Sequence, residues 1–348
     1  MAMKIFLDES GCSNKLVPLS LTRHVSDIRV GILTISQKWQ LLTHAEIITD
    51  KNLITADAIA VDANIIPCKE NFEVILKAAK DKLPLFESDD IKIIHYPWNI
   101  FQLNDWALRQ DYGLLTYQRA SNKLSNSNGC TNENNIFIED GVKAEYCIFN
   151  ATAGPVYIDK GAEIMEGTCI RGPFYLGQNS VVKMGAKIYG STSIGPNCVV
   201  GGEIKNTVIF ANSNKAHDGY LGDSVLGEWC NLGAGSSNSN VKNTGGQVKY
   251  LVTQSDCIAA GNKAGLIMGD YSRCAINTSF NTGTIVGVCC NIFTDKMPSR
   301  RVENFSWGHE RYIFEKALAD ISNWKKMKQQ QLTQTEIDIL QNIYSTNQ

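Results

Sequence analysis

The chain has 348 residues, of which 43% are hydrophobic and 20% charged, the composition of a soluble globular protein with room for two or three domains. Its 33 basic and 35 acidic residues leave a formal charge of −2, which excludes the basic surface typical of proteins that bind nucleic acid or anionic membranes. The sequence begins without the pattern of a signal peptide, and no apolar run approaches the ~20 residues of a membrane span.

The first part of the chain alternates short apolar runs with amphipathic ones. The segments KIFLD (4–8) and AIAVDA (58–63) have the composition of buried strands, whereas 72–83 and 97–112 carry helical spacing of apolar residues. This alternation predicts an α/β domain over residues 1–120 that ends in a connecting helix. The polar stretch SNKLSNSNGCTNENN (121–135) is then expected to be a linker.

A strict six-residue repeat follows the linker. Aliphatic residues occupy every sixth position at Ile158, Ile164, Ile170, Leu176, Val182, Ile188, Ile194 and Val200. Each hexapeptide can form one flat side of a coil, in which three sides close a turn of about 18 residues and successive turns stack about 4.8 Å apart as parallel strands. We therefore predict a parallel β-coil over residues 136–305.

Later parts of the coil change phase. Further inward positions are expected at Tyr220, Leu226, Leu232, Met268, Cys274, Phe280, Val286 and Ile292. The repeat is interrupted at 204–219 and at 238–263, where the chain must loop out or shift phase, and sites are commonly built on such loops.

The end of the chain, residues 306–348, is predicted to form C-terminal helices, because apolar residues recur at helical spacing from 309 to 344. Thr333 and Glu336 have the spacing of a capping box at the start of the second helix.

The cysteines and histidines limit the possible chemistry. The eleven cysteines form no CxxC pair and no cluster with zinc spacing, so we expect reduced, mostly buried thiols in a cytoplasmic protein. Cys230 has no histidine near it in sequence other than His217, so a thiol nucleophile is not expected. His217, beside Asp218, is the candidate base, since an imidazole can accept a proton near neutral pH.

The six-residue repeat resembles that of the left-handed β-helix acyltransferases, and the segment around His217 is similar to the acetyltransferase half of the GlmU family. That family carries its site on E-x-K, then K-A-G-H-x-x-Y-L-G-D, then N-x-G-A-G-T. The matching residues here are Glu203 and Lys205, then Lys215, Ala216, His217, Tyr220, Leu221, Gly222 and Asp223, then Asn231, Gly233, Ala234 and Gly235. The match is specific over 203–235, and the coil pattern agrees over 138–292.

The resemblance implies an acetyl-CoA-dependent N-acetyltransferase that acts on an amino-sugar phosphate or a sugar nucleotide and assembles as a homotrimer. Its implied catalytic residues are His217 as general base, Asn231 as a donor and Glu203, or else Asp218, orienting the base. Substrate would contact Lys205, Lys215, Tyr220 and Asn240, and the cofactor would approach Gly233, Ala234 and Gly235. In such a trimer, the aromatic residues Trp229, Phe280 and Trp307 are candidates for contacts between subunits. The alternative is that these side chains are buried within the chain.

The sequence departs from the family pattern at several points. Ala216 replaces a glycine before the histidine, and Ser236 replaces a threonine. The CNYDG-like segment that follows becomes SNVKN, which keeps Asn240 but loses the adjacent aromatic residue. These changes bear on the identity of the acceptor more than on the acyl chemistry.

The beginning of the chain resembles the nucleotidyltransferase half of the same family. The segment ESGCSNKLVPLSLTR (9–23) stands where that family has GxGTRLxPLT, keeping Gly11 and placing Lys15 at the arginine position, which implies nucleotide binding. Asp62 corresponds to a metal-binding aspartate, so Mg²⁺ is implied only if this half is active. The connecting helix starts near residue 97, whereas such a domain usually needs ~200 residues, so the domain is expected to be truncated.

Two other functions remain open. In one, both halves are active and the chain is a sugar-1-phosphate nucleotidyltransferase as well. In the other, the chain is a non-catalytic trimer that binds a sugar nucleotide.

Overall fold

The computed structural model describes residues 3–253 and 255–346, so the outermost residues of the first and last predicted domains lie outside the described residues. An α/β part comes first, a three-sided parallel β-helix follows, and two helices end the chain. This architecture confirms the predicted fold class, an α/β domain followed by a left-handed β-helix with C-terminal helices.

The α/β part is built on a small parallel sheet with the strand order β2-β1-β3. Its strands are β1 (Lys4–Asp8), β2 (Glu46–Ile48) and β3 (Ile59–Asp62), and an antiparallel pair is formed by β4 (Ile65–Ile66) and β5 (Lys92–Ile93). Its helices are α1 (Ile35–Thr43), α2 (Phe72–Lys80) and α3 (Asn99–Thr116), with 3₁₀ turns at Ser13–Lys15, Val25–Asp27 and Lys51–Leu53.

The β-helix has three sides, each a ladder of parallel strands. Side one contains β6 (Gly129–Thr131), β9 (Ile148–Asn150), β12 (Cys169–Arg171), β15 (Lys187–Ile188), the start of β18 (Glu203–Ile209), the start of β20 (Tyr220–Leu226), β22 (Ser237–Asn238) and β27 (Ser279–Phe280). Side two contains β7 (Ile136–Ile138), β10 (Val156–Ile158), β13 (Phe174–Leu176), β16 (Thr192–Ile194), the ends of β18 and β20, β25 (Leu266–Met268), β28 (Thr284–Val286) and β30 (Arg301–Val302). Side three contains β8 (Lys143–Ala144), β11 (Glu163–Ile164), β14 (Val181–Val182), β17 (Val199–Val200), β19 (Asn214–Lys215), β21 (Asn231–Leu232), β26 (Arg273–Cys274), β29 (Asn291–Ile292) and β31 (Ser306–Trp307).

The segment predicted as a linker contributes to the first turn of the β-helix. Within 121–135, β6 pairs with β9, and a 3₁₀ turn at Glu133–Asn135 leads into side two. The coil therefore begins to form within that polar stretch.

The predicted six-residue register matches the core of the β-helix. All eight aliphatic positions from Ile158 to Val200 point inward and are at most 2% exposed. Tyr220 departs from its expected inward position, because the buried residue there is Leu221, 1% exposed. The reason is a short side: Leu221 and Leu226 lie five residues apart, in register with Ile204 and Ile209 on the turn before, so a six-residue step back from Leu226 misses the inward position by one residue.

The two interruptions behave differently. The first, 204–219, stays inside the β-helix as a phase shift, with β18 turning a corner at Asn206, whose φ is 46°. The second, 238–263, loops out as an antiparallel hairpin of β23 (Lys249–Leu251) and β24 (Cys257–Ala259).

That hairpin joins the β-helix to the α/β part. Tyr250 of the hairpin stacks on Trp98 of the α/β part with ring centroids 4.9 Å apart, and Trp98 stacks in turn on Tyr96 at 4.6 Å. Arg23, which lies in the segment expected to hold nucleotide phosphates, pairs with Glu228 and Asp270 of the β-helix. The two parts therefore share one hydrophobic core.

The C-terminal helices α4 (Phe314–Met327) and α5 (Gln334–Thr346) follow a short antiparallel pair of β31 with β32 (Glu310–Arg311). The predicted capping box is present, since the Glu336 N–H donates to the Thr333 hydroxyl and the Thr333 N–H donates to the Glu336 carboxylate, at 3.2 and 2.8 Å. Among the described residues, no helix has the length and apolar character needed to cross a membrane.

The three aromatic residues expected at subunit interfaces have different environments. Trp229 and Phe280 are 5% and 2% exposed, so their burial follows the simpler of the two expectations. Trp307 is 37% exposed and packs edge-on against Phe293, with ring centroids 5.1 Å apart.

Candidate functional site

His217 lies at the corner that joins side three to side one. The corner spans residues 216–219, between the end of β19 and the start of β20, and the His217 side chain is exposed. Stacked turns hold this corner from both sides, because the Glu203 N–H donates to the Gly219 carbonyl at 3.1 Å and the Gly235 N–H donates to the Asp218 carbonyl at 3.0 Å. The fold thus brings Glu203 and Gly235, far from His217 in sequence, to the same corner.

A polar surface begins directly after this corner, on the outward side of side one. The register places Glu203 between Lys187 on the turn before it and Tyr220 on the turn after it, and Lys205 lies beside Gly222. We call this surface, formed by Lys187, Glu203, Lys205 and Tyr220, the Tyr220 face. It presents a carboxylate, ammonium groups and a phenol next to His217.

Tyr220 is held over the backbone of its own strand. A Cβ atom at Gly222 would lie 2.1 Å from the Tyr220 hydroxyl oxygen, so the ring requires glycine at that position. The Asn240 amide donates to the Tyr220 hydroxyl at 3.0 Å and also to the carboxylate of Asp223. Burial and the negative charge of Asp223 raise the pKa of Tyr220 to about 12, so the phenol keeps its proton.

The buried carboxylate of Asp223 determines how Asn240 is oriented. Asp223 is 4% exposed, and its second oxygen accepts from the Asn206 amide at 2.6 Å. Because a carboxylate only accepts, the Asn240 NH₂ group must face Asp223 and Tyr220, and its amide oxygen remains as an acceptor. Tyr220 and Asn240 therefore offer a fixed donor and a fixed acceptor at one edge of the Tyr220 face.

Lys215 differs from the expectation of an exposed phosphate ligand. It occupies an inward position of β19 and is 2% exposed, and its ammonium group donates to the carbonyl oxygen of His217. Burial lowers the pKa of Lys215 to about 8, although the negative charge of Asp218 opposes this shift. Of the two lysines expected to bind substrate, Lys205 is the exposed one.

Asn231 lies on side three, away from the Tyr220 face. Its backbone pairs with Asn214 on one neighbouring turn and with Arg273 on the other. The Asn214 amide donates to the Asn231 side chain at 3.5 Å, and Lys328, just after α4, donates to Asn214 at 3.2 Å. The structure thus places Asn231 next to the C-terminal segment, at the far end of the side that leads to His217.

The glycine-rich segment after Asn231 allows neighbouring turns of the β-helix to approach closely and to form backbone hydrogen bonds. A Cβ atom at Gly233 would come within 2.5 Å of the Ala275 backbone, and the Gly233 N–H already donates to the Cys274 carbonyl. Gly235 has a φ of +73°, and Ala234 lies between the two glycines with its carbonyl accepting from the Asn277 N–H at 2.7 Å. At Gly233 and Gly235 the N–H groups are therefore engaged by neighbouring turns.

The residues expected to bind nucleotide and metal lie at one edge of the small sheet. Asp62 ends β3 directly beside Asp8 at the end of β1, and burial together with the Asp8 charge raises the pKa of Asp62. Gly11 and Lys15 follow β1 and are both exposed. Two carboxylates suffice for Mg²⁺, which commonly keeps several of its waters, although no group of three or more His, Cys, Asp or Glu residues is placed to hold a metal among the residues described.

Sequence reasoning did not identify the support behind the Tyr220 face. The buried Asn238 side chain receives the Gly222 N–H at 2.9 Å and donates to the Gly222 carbonyl at 3.0 Å. Asp223 and Asn206, both with positive φ, hold the corner beside it. An Asn or Asp at a corner of a six-residue repeat signals left-handed backbone, but nothing in the sequence shows which of these side chains turn inward.

The comparisons with known proteins agree with the pattern of the sequence. A family model described as sugar nucleotidyl transferase matches residues 4–82. A bifunctional sugar-1-phosphate nucleotidylyltransferase/acetyltransferase from Sulfurisphaera tokodaii is 29% identical over 270 residues, which cover 73% of this chain and 61% of that protein. The bifunctional protein GlmU of Methanocaldococcus jannaschii is 33% identical over 116 residues, 33% of this chain and 28% of that protein.

A crystal structure of UDP-N-acetylglucosamine acyltransferase also matches, with 13% identity and a TM-score of 0.20, over 65% of this chain and 81% of that one. The chain spans less than two thirds of the length of the two bifunctional relatives. The predicted resemblance to GlmU-type proteins, with a nucleotidyltransferase-like N-terminal part, is confirmed by these matches.

Proposed function

We propose that this chain is an acetyl-CoA-dependent N-acetyltransferase that acts on an amino-sugar phosphate or a sugar nucleotide, with His217 as its general base. The observation that carries this proposal is the placement of an exposed histidine at a rigid corner directly beside the Tyr220 face. The bifunctional relative from Sulfurisphaera tokodaii, named as an acetyltransferase, supports the acyl chemistry.

The reaction requires a base, a nucleophilic amine and a thioester. His217 removes a proton from the ammonium or attacking amine of the sugar, the nitrogen forms a bond to the thioester carbonyl carbon, and the resulting oxyanion collapses with loss of the CoA thiolate. The thiolate then takes up a proton, so that an amide and free CoA are the products. No described residue donates to or accepts from the His217 ring, which leaves the ring free to meet the substrate.

The Tyr220 face supplies the acceptor site in this proposal. Lys205 is exposed two residues from Glu203 on the same side of β18 and can pair with a phosphate group. The Tyr220 hydroxyl donates and the Asn240 amide oxygen accepts, a pattern that suits the hydroxyl groups of a sugar. Glu203 is the acidic neighbour of the His217 corner, and the acetyl-CoA would lie toward Gly233, Ala234 and Gly235 on the next turn.

A second copy of the chain would complete the site in a homotrimer. The Tyr220 face lies on one side of the β-helix, and the edge that carries His217 also presents apolar side chains on other turns. These are Tyr146, Met184 and Ile276, which are 70%, 66% and 68% exposed. Because exposed apolar side chains along one edge are typical of an interface, we expect this edge to pack against a neighbouring copy, with substrate between the two coils.

A cytoplasmic location is supported by the eleven cysteines, all free thiols.

The test is release of thiol from acetyl-CoA in the presence of glucosamine-1-phosphate and a panel of amino sugars. Loss of a general base costs about 10²- to 10⁴-fold in rate, so His217→Ala should lower turnover by that factor. His309→Ala, an exposed histidine at the end of the coil, is the matched control and should retain the wild-type rate. Equal rates for wild type and His217→Ala would remove His217 from the mechanism.

Nucleotidyl transfer by the N-terminal part is the second candidate function. It is favoured by the family match over 4–82 and by the adjacent carboxylates Asp8 and Asp62, which could hold Mg²⁺. Against it, both terminal guanidinium nitrogens of Arg23, in the phosphate-loop segment, are paired with Glu228 and Asp270. Incorporation of label from UTP into a UDP-sugar, lost in Asp62→Asn, would establish this activity. Failure of both assays with retained sugar-nucleotide binding would favour the non-catalytic trimer.

A further inference from the structure

Lys215 occupies a position inside the β-helix where the repeat otherwise places an aliphatic side chain. Its register partner on the turn before is Val200, and Leu232 stands at the equivalent place on the turn after, both buried. Burying an ammonium group among aliphatic side chains is costly unless it is paired. Among the described residues, Lys215 has no carboxylate within salt-bridge distance, so the cost is not offset by an ion pair.

Within the described part of the chain, the ammonium group donates its hydrogen bond to the carbonyl oxygen of His217. The backbone of the corner shows why this bond matters. The carbonyls of Asp218 and Gly219 accept from N–H groups of the stacked turns, Gly235 and Glu203. The carbonyl of His217 instead accepts from a side chain that reaches it from inside the coil.

The corner has little room for a different conformation. A Cβ atom at Gly202, on the turn before, would lie 2.8 Å from the His217 carbonyl oxygen and 2.8 Å from that of Gly219. The His217 carbonyl is thus fixed between the Gly202 backbone on one side and the Lys215 ammonium on the other. The direction of this carbonyl group fixes the backbone conformation of His217, and with it the position from which the imidazole ring extends.

We propose that Lys215 is a positioning residue for His217, holding the 216–219 corner from inside the coil so that the imidazole faces the Tyr220 face. This proposal rests on the proposed function, in which His217 is the base. A positioned group contributes to catalysis because a displacement of about 1 Å can cost as much as 10²-fold in rate.

The experiment compares Lys215→Met with Leu232→Met. Both place methionine in the same column of the core, but only the first removes the hydrogen bond to His217. We expect Lys215→Met to lower kcat about 10- to 100-fold, with KM for acetyl-CoA and for the amino sugar unchanged, and Leu232→Met to retain the wild-type kcat. Lys215→Gln, which also removes the ammonium group, replaces the methionine variant if that variant does not fold.

A second readout separates this proposal from the proposed function. Amide hydrogen exchange, followed by mass spectrometry, should quicken in peptides that cover 216–219 in Lys215→Met and stay unchanged in Leu232→Met. Unchanged exchange and unchanged kcat in Lys215→Met would overturn the proposal, as would equal losses of kcat in both methionine variants. If the wild-type protein acetylates no acceptor, the proposed function fails, and faster exchange at the corner would still support Lys215 as its anchor.

Discussion

The buried ammonium of Lys215 should make the stability of the folded chain depend on pH in a way that Lys215→Met abolishes. Burial lowers the pKa of Lys215 from 10.5 to about 8, and Asp218 and, more weakly, Cys274 are the charged or titratable groups that oppose the shift. At 1.36 kcal/mol per pKa unit, the folded state holds this proton less tightly than the unfolded state by about 3 kcal/mol.

The sign follows from proton binding. Between pH 8 and 10.5 the unfolded chain keeps the proton that the folded chain has released, so folding becomes more favourable as the pH rises through this range. Below about pH 8 the full cost of burial remains. Lys215→Met removes this cost but loses the hydrogen bond to the His217 carbonyl, which is worth about 1–3 kcal/mol, so at pH 7 the variant should be as stable as wild type or slightly more stable.

The assay is urea unfolding of wild type and Lys215→Met at one fixed protein concentration, repeated from pH 7 to pH 10.5. Other lysines and tyrosines titrate in both proteins, so their effects cancel in the difference between the two free energies of unfolding. That difference should shift by about 3 kcal/mol in favour of wild type as the pH rises. Parallel curves for the two proteins would refute a depressed lysine pKa, and a shift in the opposite direction would mean that Lys215 is ion-paired.

Two further substitutions test the contacts described above. Gly222→Ala places a methyl group 2.1 Å from the present position of the Tyr220 hydroxyl oxygen, so the ring must move away from Asn240. We expect initial-rate measurements to show KM for the amino-sugar acceptor raised about 10-fold, since one lost hydrogen bond is worth about 1 kcal/mol or more, with KM for acetyl-CoA unchanged. Trp98→Ala removes a buried ring stacked on Tyr250 at 4.9 Å, and chemical denaturation should show a loss of about 3–5 kcal/mol in the free energy of unfolding. A loss below about 1 kcal/mol would mean that the hairpin does not depend on this stack.

The β-helix could be predicted because its inward positions recur every six residues. Each inward position of a hexapeptide is surrounded on all sides, so only aliphatic or small side chains fit, and the run from Ile158 to Val200 shows this directly. The prediction failed at Tyr220, because only five residues separate the inward positions on this side and Leu221 takes the inward position before Leu226. A change in turn length is set at corners, whose residues are polar and carry no periodic signal.

The sequence names candidate residues for the site but does not show their geometry. The motif around His217 identified Glu203, Lys205, Tyr220 and Asn240, and the stacked turns do bring these side chains to one surface. The inward direction of Lys215 was not predictable, because a lysine in a glycine-rich stretch ordinarily lies on the surface. Asn231 is separated from that surface because it lies on a different side of the coil.

The strands β23 and β24 of the hairpin belong to the β-helix by sequence and to the α/β part by packing. Val248, Tyr250 and Ala260 are buried in the same cluster as Trp98 and Ile5, the latter at the centre of the small sheet. A boundary drawn between the two parts along the chain therefore does not separate two units of folding. Cutting the gene at the linker would leave apolar surface of this shared interior exposed on both fragments.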